Sequence, residues 1–213
     1  MIKKMFIIAL TLVFALMFFA ACKKEDTSYE PPSITVKTAM NLLENFEFDH
    51  TTRGGYELTH IQTVAGVKTH ERNVELSLSS GGNKGVFIES VKSLNPNIDG
   101  EEYVTSTATY SFNGSEVKKN GAVTNEYTVS DLVSLDLFDV SVIENKLQNL
   151  EYKDSTLTFV VPGSCAGVVL GEFSGVDCIN VSITTDTECK TITSVSIEYV
   201  RNGFCTTVSL IIY

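Results

Sequence analysis

The stretch ITSVSIEYVRNGFCTTVSLII, residues 192–212, decides the fold class. Val195, Ile197 and Tyr199 alternate with Ser194, Ser196 and Glu198 before the Asn202-Gly203 pair. Thr206, Val208 and Leu210 alternate with Cys205, Thr207 and Ser209 after it. A period of two marks strands with one face buried, and Asn-Gly suits the two-residue turns that join antiparallel neighbours. The stretch therefore predicts a hairpin of two strands, Thr191 to Val200 and Phe204 to Ile212.

Working back along the chain, segments rich in Val, Ile, Thr and Tyr repeat this signal. Strands are expected over Phe46 to Thr51, Tyr56 to Val64, Val67 to Leu78, Gly85 to Lys92 and Tyr103 to Phe112. A weaker strand ends near Tyr127, and two more run from Ser155 to Val161 and from Ile179 to Thr185. Gly54-Gly55, Ala65-Gly66, Gly81-Gly82, Asp99-Gly100 and Asn113-Gly114 punctuate them. Two segments change period. Val36, Ala39, Met40 and Leu43 recur at helical spacing within residues 35–45, where Ser33 or Thr35 can cap the first turn. Leu132, Leu135, Phe138, Val142, Ile143, Leu147 and Leu150 fit spacings of three and four within residues 130–150, which Ser130 and Asp131 open. The expected fold is mainly β (α+β): about ten antiparallel strands in one curved sheet, with two helices covering its apolar face.

The other end of the chain reads as an address. Lys3 and Lys4 precede an uncharged apolar run from Met5 to Phe19, followed by Ala20-Ala21-Cys22 and then Lys23-Lys24-Glu25-Asp26. The run is shorter than the roughly 20 apolar residues a spanning helix needs, and its flanks are those of a signal peptide. Small residues before the cysteine resemble the lipobox of bacterial lipoproteins, in which the thiol is acylated and the preceding bond is cut. Phe19 departs from the aliphatic residue usual at that place. The expectation is a signal peptide over residues 1–21, a lipid-bearing Cys22, a polar linker to Pro32 and one domain over 33–213. The lipid would hold the domain on the extracytoplasmic side of a cell membrane or an outer membrane. Lys23-Lys24-Glu25-Asp26 also resembles the acidic export tags of some surface lipoproteins.

Cleavage would remove two of the 16 basic residues, leaving 14 against 26 acidic ones and a charge near −12. Such a field repels polyanions, so no nucleic-acid partner is expected. No cofactor motif is present.

An acylated cysteine, a linker, a first helix, a meander of strands, an intervening helix and a closing hairpin together resemble the half-barrel lipoproteins of the LolA and LppX type. The closing hairpin, Ile192 to Tyr199 and Thr206 to Leu210 around Asn202-Gly203, is the part most similar to that class. The resemblance implies a curved sheet that wraps helices around the acyl chains of a lipid or lipoprotein. On that implication the lining would be Phe46, Phe48, Tyr56, Phe87, Tyr110 and Phe112, facing Met40, Leu43, Phe138 and Val142. The competing expectation is a surface interaction module whose core those same residues simply fill.

Four cysteines remain after Cys22: Cys165, Cys178, Cys189 and Cys205. Export permits disulfides, and three pairings are formally allowed. Strand order sets Cys189 at the far end of its strands and brings Cys165 near Cys178, the preferred bridge. Cys178 and Cys205, two strands apart, exceed the roughly 7 Å that a disulfide tolerates. Four buried thiols are the competing state.

Three further constellations are weighed against simpler readings. Gly163-Ser164-Cys165-Ala166-Gly167 imitates a nucleophile elbow, yet Val168 to Gly171 makes a poor helix and no histidine is near in sequence. His50, His60 and His70 invite a metal, but a tight turn at Ala65-Gly66 pairs His60 with Glu71 and points His60 and His70 to opposite faces. Residues 95–100 open like a calcium loop but carry Ser106 where a bidentate Glu is needed. No metal site and no enzyme activity are expected.

Overall fold

The computed structural model describes residues 34–95, 102–171 and 175–213. Residues 1–33, with the signal segment and Cys22, lie outside them, as does the body of the calcium-like loop.

The predicted hairpin forms. Strands β10 (Ile192–Arg201) and β11 (Phe204–Ile212) pair antiparallel from Arg201↔Phe204 to Ser194↔Ile211, and Asn202 and Gly203 take the positive φ values, 51° and 81°, that the turn requires. The remaining strands are β1 (Gly55–Val64), β2 (Val67–Leu78), β3 (Lys84–Leu94), β4 (Tyr103–Asn113), β5 (Glu116–Lys119), β6 (Ala122–Val123), β7 (Gln148–Lys153), β8 (Thr156–Pro162) and β9 (Val176–Thr185). All join one open antiparallel sheet of 11 strands in the order β6-β5-β4-β3-β2-β1-β11-β10-β9-β8-β7. The chain thus meanders outward from β1, returns through β7 to β10, and sets its last strand against its first, with Tyr56 opposite Ile212.

Sheet alternation assigns every strand residue to one of two faces. Tyr56, Leu76, Leu157, Ile179, Ile183, Val195 and Leu210 point to the inner face, where they form one core cluster with Val36, Ala39, Met40 and Leu43 of α1 (Ile34–Glu44). These four are the positions whose helical spacing predicted α1, which packs over β7 and β8.

Two expectations fail. Phe46 to Thr51 forms no strand. Asp49 folds this stretch into a turn, its Oδ1 accepting from the Thr51 N–H at 2.9 Å and the Thr51 hydroxyl at 2.6 Å, while its carbonyl accepts from the Arg53 N–H at 3.0 Å. A short carboxylate offers the backbone this alternative to a ladder. The helix expected over 130–150 breaks into pieces. Helix α2 (Val129–Val133) starts on a capping box in which Thr128 and Asp131 exchange hydrogen bonds, and stops at Ser134, whose backbone is extended. Asp139 Oδ1 then accepts from the Ser141 N–H at 2.8 Å and opens a 3-10 turn, Ser141–Lys146, before β7. Leu132, Val133, Val140 and Ile143 still reach the core, but through a folded-back chain instead of one helical stripe.

Candidate binding face

The inner face is graded along the strands. At one end Tyr56, Leu76, Phe87 and Tyr110 stand in register across β1 to β4, with Phe112 beside them. Phe48 meets Tyr56 edge-on at 5.5 Å between ring centres, Phe87 meets Tyr110 at 6.0 Å, and Tyr127 meets Tyr110 at 5.2 Å. Edge-to-face contacts of this kind are favourable beyond the area they bury.

The residues expected to line an acyl cavity sit in this end. Met40, Leu43, Tyr56, Tyr110 and Phe112 are at most 5% exposed, and Phe48 is buried with them. Phe46, Phe87 and Phe138 are partly buried against the same cluster. These six groups thus sit in one buried core cluster. Val142 is 72% exposed and lines nothing inside; the 3-10 turn carries it to the surface.

The other end is polar. One row runs Ser106, Val91, Arg72, His60 and Val208 across β4, β3, β2, β1 and β11. The next runs Val104, Ser93, His70, Gln62 and Thr206. A bulge creates this arrangement. Val64 opposes Val67 and Thr63 opposes Lys68, but the register then slips, so that Gln62 opposes His70 and His60 opposes Arg72. Thr69 is the extra residue, its hydroxyl donating to the Gln62 carbonyl at 3.2 Å. The slip overturns the expectation that His60 and His70 point apart: they share the inner face with ring centres 5.9 Å apart. His50 lies away from them, in the turn whose carbonyl abuts Gly82.

Arg72 Nε donates to Glu89 Oε1 at 2.6 Å, and His70 Nδ1 lies 2.9 Å from Ser93 Oγ. Among the described residues, buried His60 Nε2 has no hydrogen-bond partner. Burial, then the neighbouring His70 and Arg72, hold the His60 imidazole below its ordinary pKa, because each penalises a further positive charge. Burial likewise raises the Tyr56 phenol, against the opposing pull of Arg72. Val104 and Ser106 stay exposed at the β4 side, so this half of the face opens to solvent. It offers a cation, a carboxylate and a neutral imidazole over a floor of Val91, Ala108 and Val208. Among the described residues no group of three or more His, Cys, Asp and Glu side chains converges as metal ligands would. Nothing local in the sequence signals the bulge.

Cys165, Cys189 and Cys205 are free thiols. The expected Cys165–Cys178 bridge is not made. Cys165 points into the core from a 3-10 turn, Gly163–Cys165, whereas Cys178 shares the outer-face parity of Asn180 on β9, opposite to Ile179. Residues Gly167–Leu170 do form one turn of helix, α3, against expectation, so a strand, a sharp turn and a helix surround Cys165. The thiol is nevertheless only 7% exposed, and its polar contact is Ser164 Oγ at 3.8 Å. Burial and the nearby Glu198 raise the pKa of Cys205, which makes it a poor nucleophile. Residues 96–101 of the calcium-like loop lie outside the described residues, though Asn95 and Glu102 pair across its base at 2.8 Å. Among the described residues no helix is long and apolar enough to cross a membrane.

No family model and no curated protein matches the chain. Among solved structures it is similar to the Mycobacterium tuberculosis lipoprotein LppX, with 12% identity over 85% of this chain and 95% of that one, at a TM-score of 0.35. A likeness at that score carries no argument about function.

Proposed function

We propose that the chain is an extracytoplasmic lipoprotein, tethered through Cys22, whose domain works by binding a partner over the polar, open half of its inner face. On this reading it does not carry acyl chains. One observation supports this above others: the side chains that an acyl cavity would need are packed into the core, with Met40, Leu43 and Tyr110 at most 3% exposed. The apolar end of the sheet is thus consumed in stability. What is left accessible there sets half-buried Arg72, Glu89 and His70 beside exposed Val104, a mixed polar and apolar surface of the kind that non-obligate contacts use. The charge near −12 that processing would leave, 14 basic residues against 26 acidic ones, directs this surface away from nucleic acid.

Titration of the full chain in detergent micelles with a fluorescent fatty acid tests the reading. Signal no greater than that of micelles alone is expected. Saturable one-to-one binding, lost when Tyr110 or Met40 is enlarged to Trp, would restore the carrier reading. Metabolic labelling with palmitate tests the tether: the wild-type chain takes up label and Cys22→Ser does not. Equal labelling of both would remove the anchor from the account.

A further inference from the structure

The outer face holds a second feature, independent of the inner one. A depression of about 430 Å³ lies across β7 to β10, lined by Asn149, Thr158, Asn180, Ser182, Ser196 and Glu198, with Val160 at its floor. We propose that it is a binding site for a neutral, polyhydroxylated ligand of the saccharide class.

Register builds the site. Thr158, Ser182 and Ser196 stand directly opposite one another across β8, β9 and β10, and Val160, Asn180 and Glu198 form the next row. Neighbouring strands are about 4.8 Å apart, so each row spreads three side chains over roughly 10 Å, the length of a disaccharide. The ladder between β7 and β8 slips between Gln148 and Glu151, and within that slip Asn149 adopts a positive φ of 53°. A non-glycine residue held there is a local strain, and the bulge turns the Asn149 amide onto the depression at the sheet edge.

The chemistry selects the ligand. The five neutral side chains at Asn149, Thr158, Asn180, Ser182 and Ser196 make no hydrogen bond to another described residue. Opposed hydroxyls on a sheet commonly satisfy each other; here they stay available. Hydroxyl and amide groups both donate and accept, which matches the hydroxyls of a sugar. Glu198 is the single charge in the lining, so anions are repelled, and one carboxylate is too little for a divalent cation. Phe159 borders the depression, but it is 2% exposed and shares the inner-face parity of Val181, so among the described residues of the lining no ring is presented for stacking; buried Val160, 6% exposed, supplies a small apolar floor for a ring's C–H face.

Saturation-transfer NMR tests this with the full chain in a zwitterionic detergent, since glycoside detergents would compete. Maltose, cellobiose and chitobiose serve as neutral probes and glucose 6-phosphate as the anionic control. Transfer to at least one neutral sugar is expected, with at least a tenfold weaker Kd in the Thr158→Val and Asn180→Ala variants and no change in Thr59→Val, which lies on the same face outside the depression. Thermal unfolding of each variant separates lost binding from lost folding. No transfer to any of the three neutral sugars overturns the proposal. Transfer that survives both lining substitutions, or binding of the phosphorylated sugar as tight as that of a neutral one, overturns it as well.

Discussion

Replacing His60 by leucine should stabilise the domain, and more so in mild acid. His60 stands between Arg72 and Val208 on the inner face, with Nε2 buried and unpartnered. Leaving such a group unsatisfied costs about 1–3 kcal/mol. Leucine removes that cost and adds apolar contact beside Val208, while losing whatever the imidazole gives His70 in their edge contact. A net gain of about 1 kcal/mol near pH 7.5 follows, or a Tm rise of about 2–4 °C for a domain of this size.

The pH dependence has a definite sign. The folded-state pKa of His60 lies below its ordinary value of 6.5, so as pH falls through 6.5 the unfolded chain takes up a proton that the folded chain refuses. Wild-type stability therefore declines from about pH 6.5 down to the folded-state value, with a slope that stays below the limit of about 1.4 kcal/mol per pH unit for a full proton, and is unaffected by this group above that window. His60→Leu lacks the slope. Thermal unfolding of both chains in the same detergent, from pH 7.5 to 5.5, should show their Tm values diverging as the solution is acidified. Parallel curves, or a leucine variant less stable throughout, would refute the assignment of His60 as a desolvated, unpartnered imidazole.

Other substitutions probe the scaffold. Gly163→Ala would place a Cβ 2.0 Å from the Val176 carbonyl oxygen and 2.8 Å from that of Asp177, both backbone atoms, so a loss above about 3 kcal/mol is expected in denaturant unfolding. Leu76→Ala removes a side chain with no exposed surface from the centre of the sheet and should cost about 2–5 kcal/mol by the same measurement. Thr128→Ala breaks the capping box of α2 and should cost about 0.5–2 kcal/mol. Val142→Asp, at a site 72% exposed, should change stability by less than about 0.5 kcal/mol, whereas a core position would lose several times that.

The strands were legible because alternation survives wherever one face is buried. Val195, Ile197, Val208 and Leu210 face the core as their spacing required, and the last hairpin turns where Asn202-Gly203 placed it. The helical spacing of Val36, Ala39, Met40 and Leu43 was equally readable. Spacing misled over 130–150, where the Asp139 carboxylate accepts from the Ser141 N–H and Leu135 to Asp139 forms neither helix nor strand between two short helical pieces. Phe46 and Phe48 alternate like a strand, yet Asp49 closes a turn immediately after them. The inner polar row was hidden for a different reason. Face assignment by counting from Ala65-Gly66 is correct until the bulge at Gln62/Thr63, and one extra residue moves His70 to the other face.

The packed interior is the centre of the account, and native mass spectrometry of the full chain released from membranes tests it most directly. A single species is expected, with the mass of the processed polypeptide and its covalent anchor, and organic extraction should yield no stoichiometric acyl lipid. A second species heavier by one lipid, stripped at higher collision energy and recovered in the extract, would contradict it.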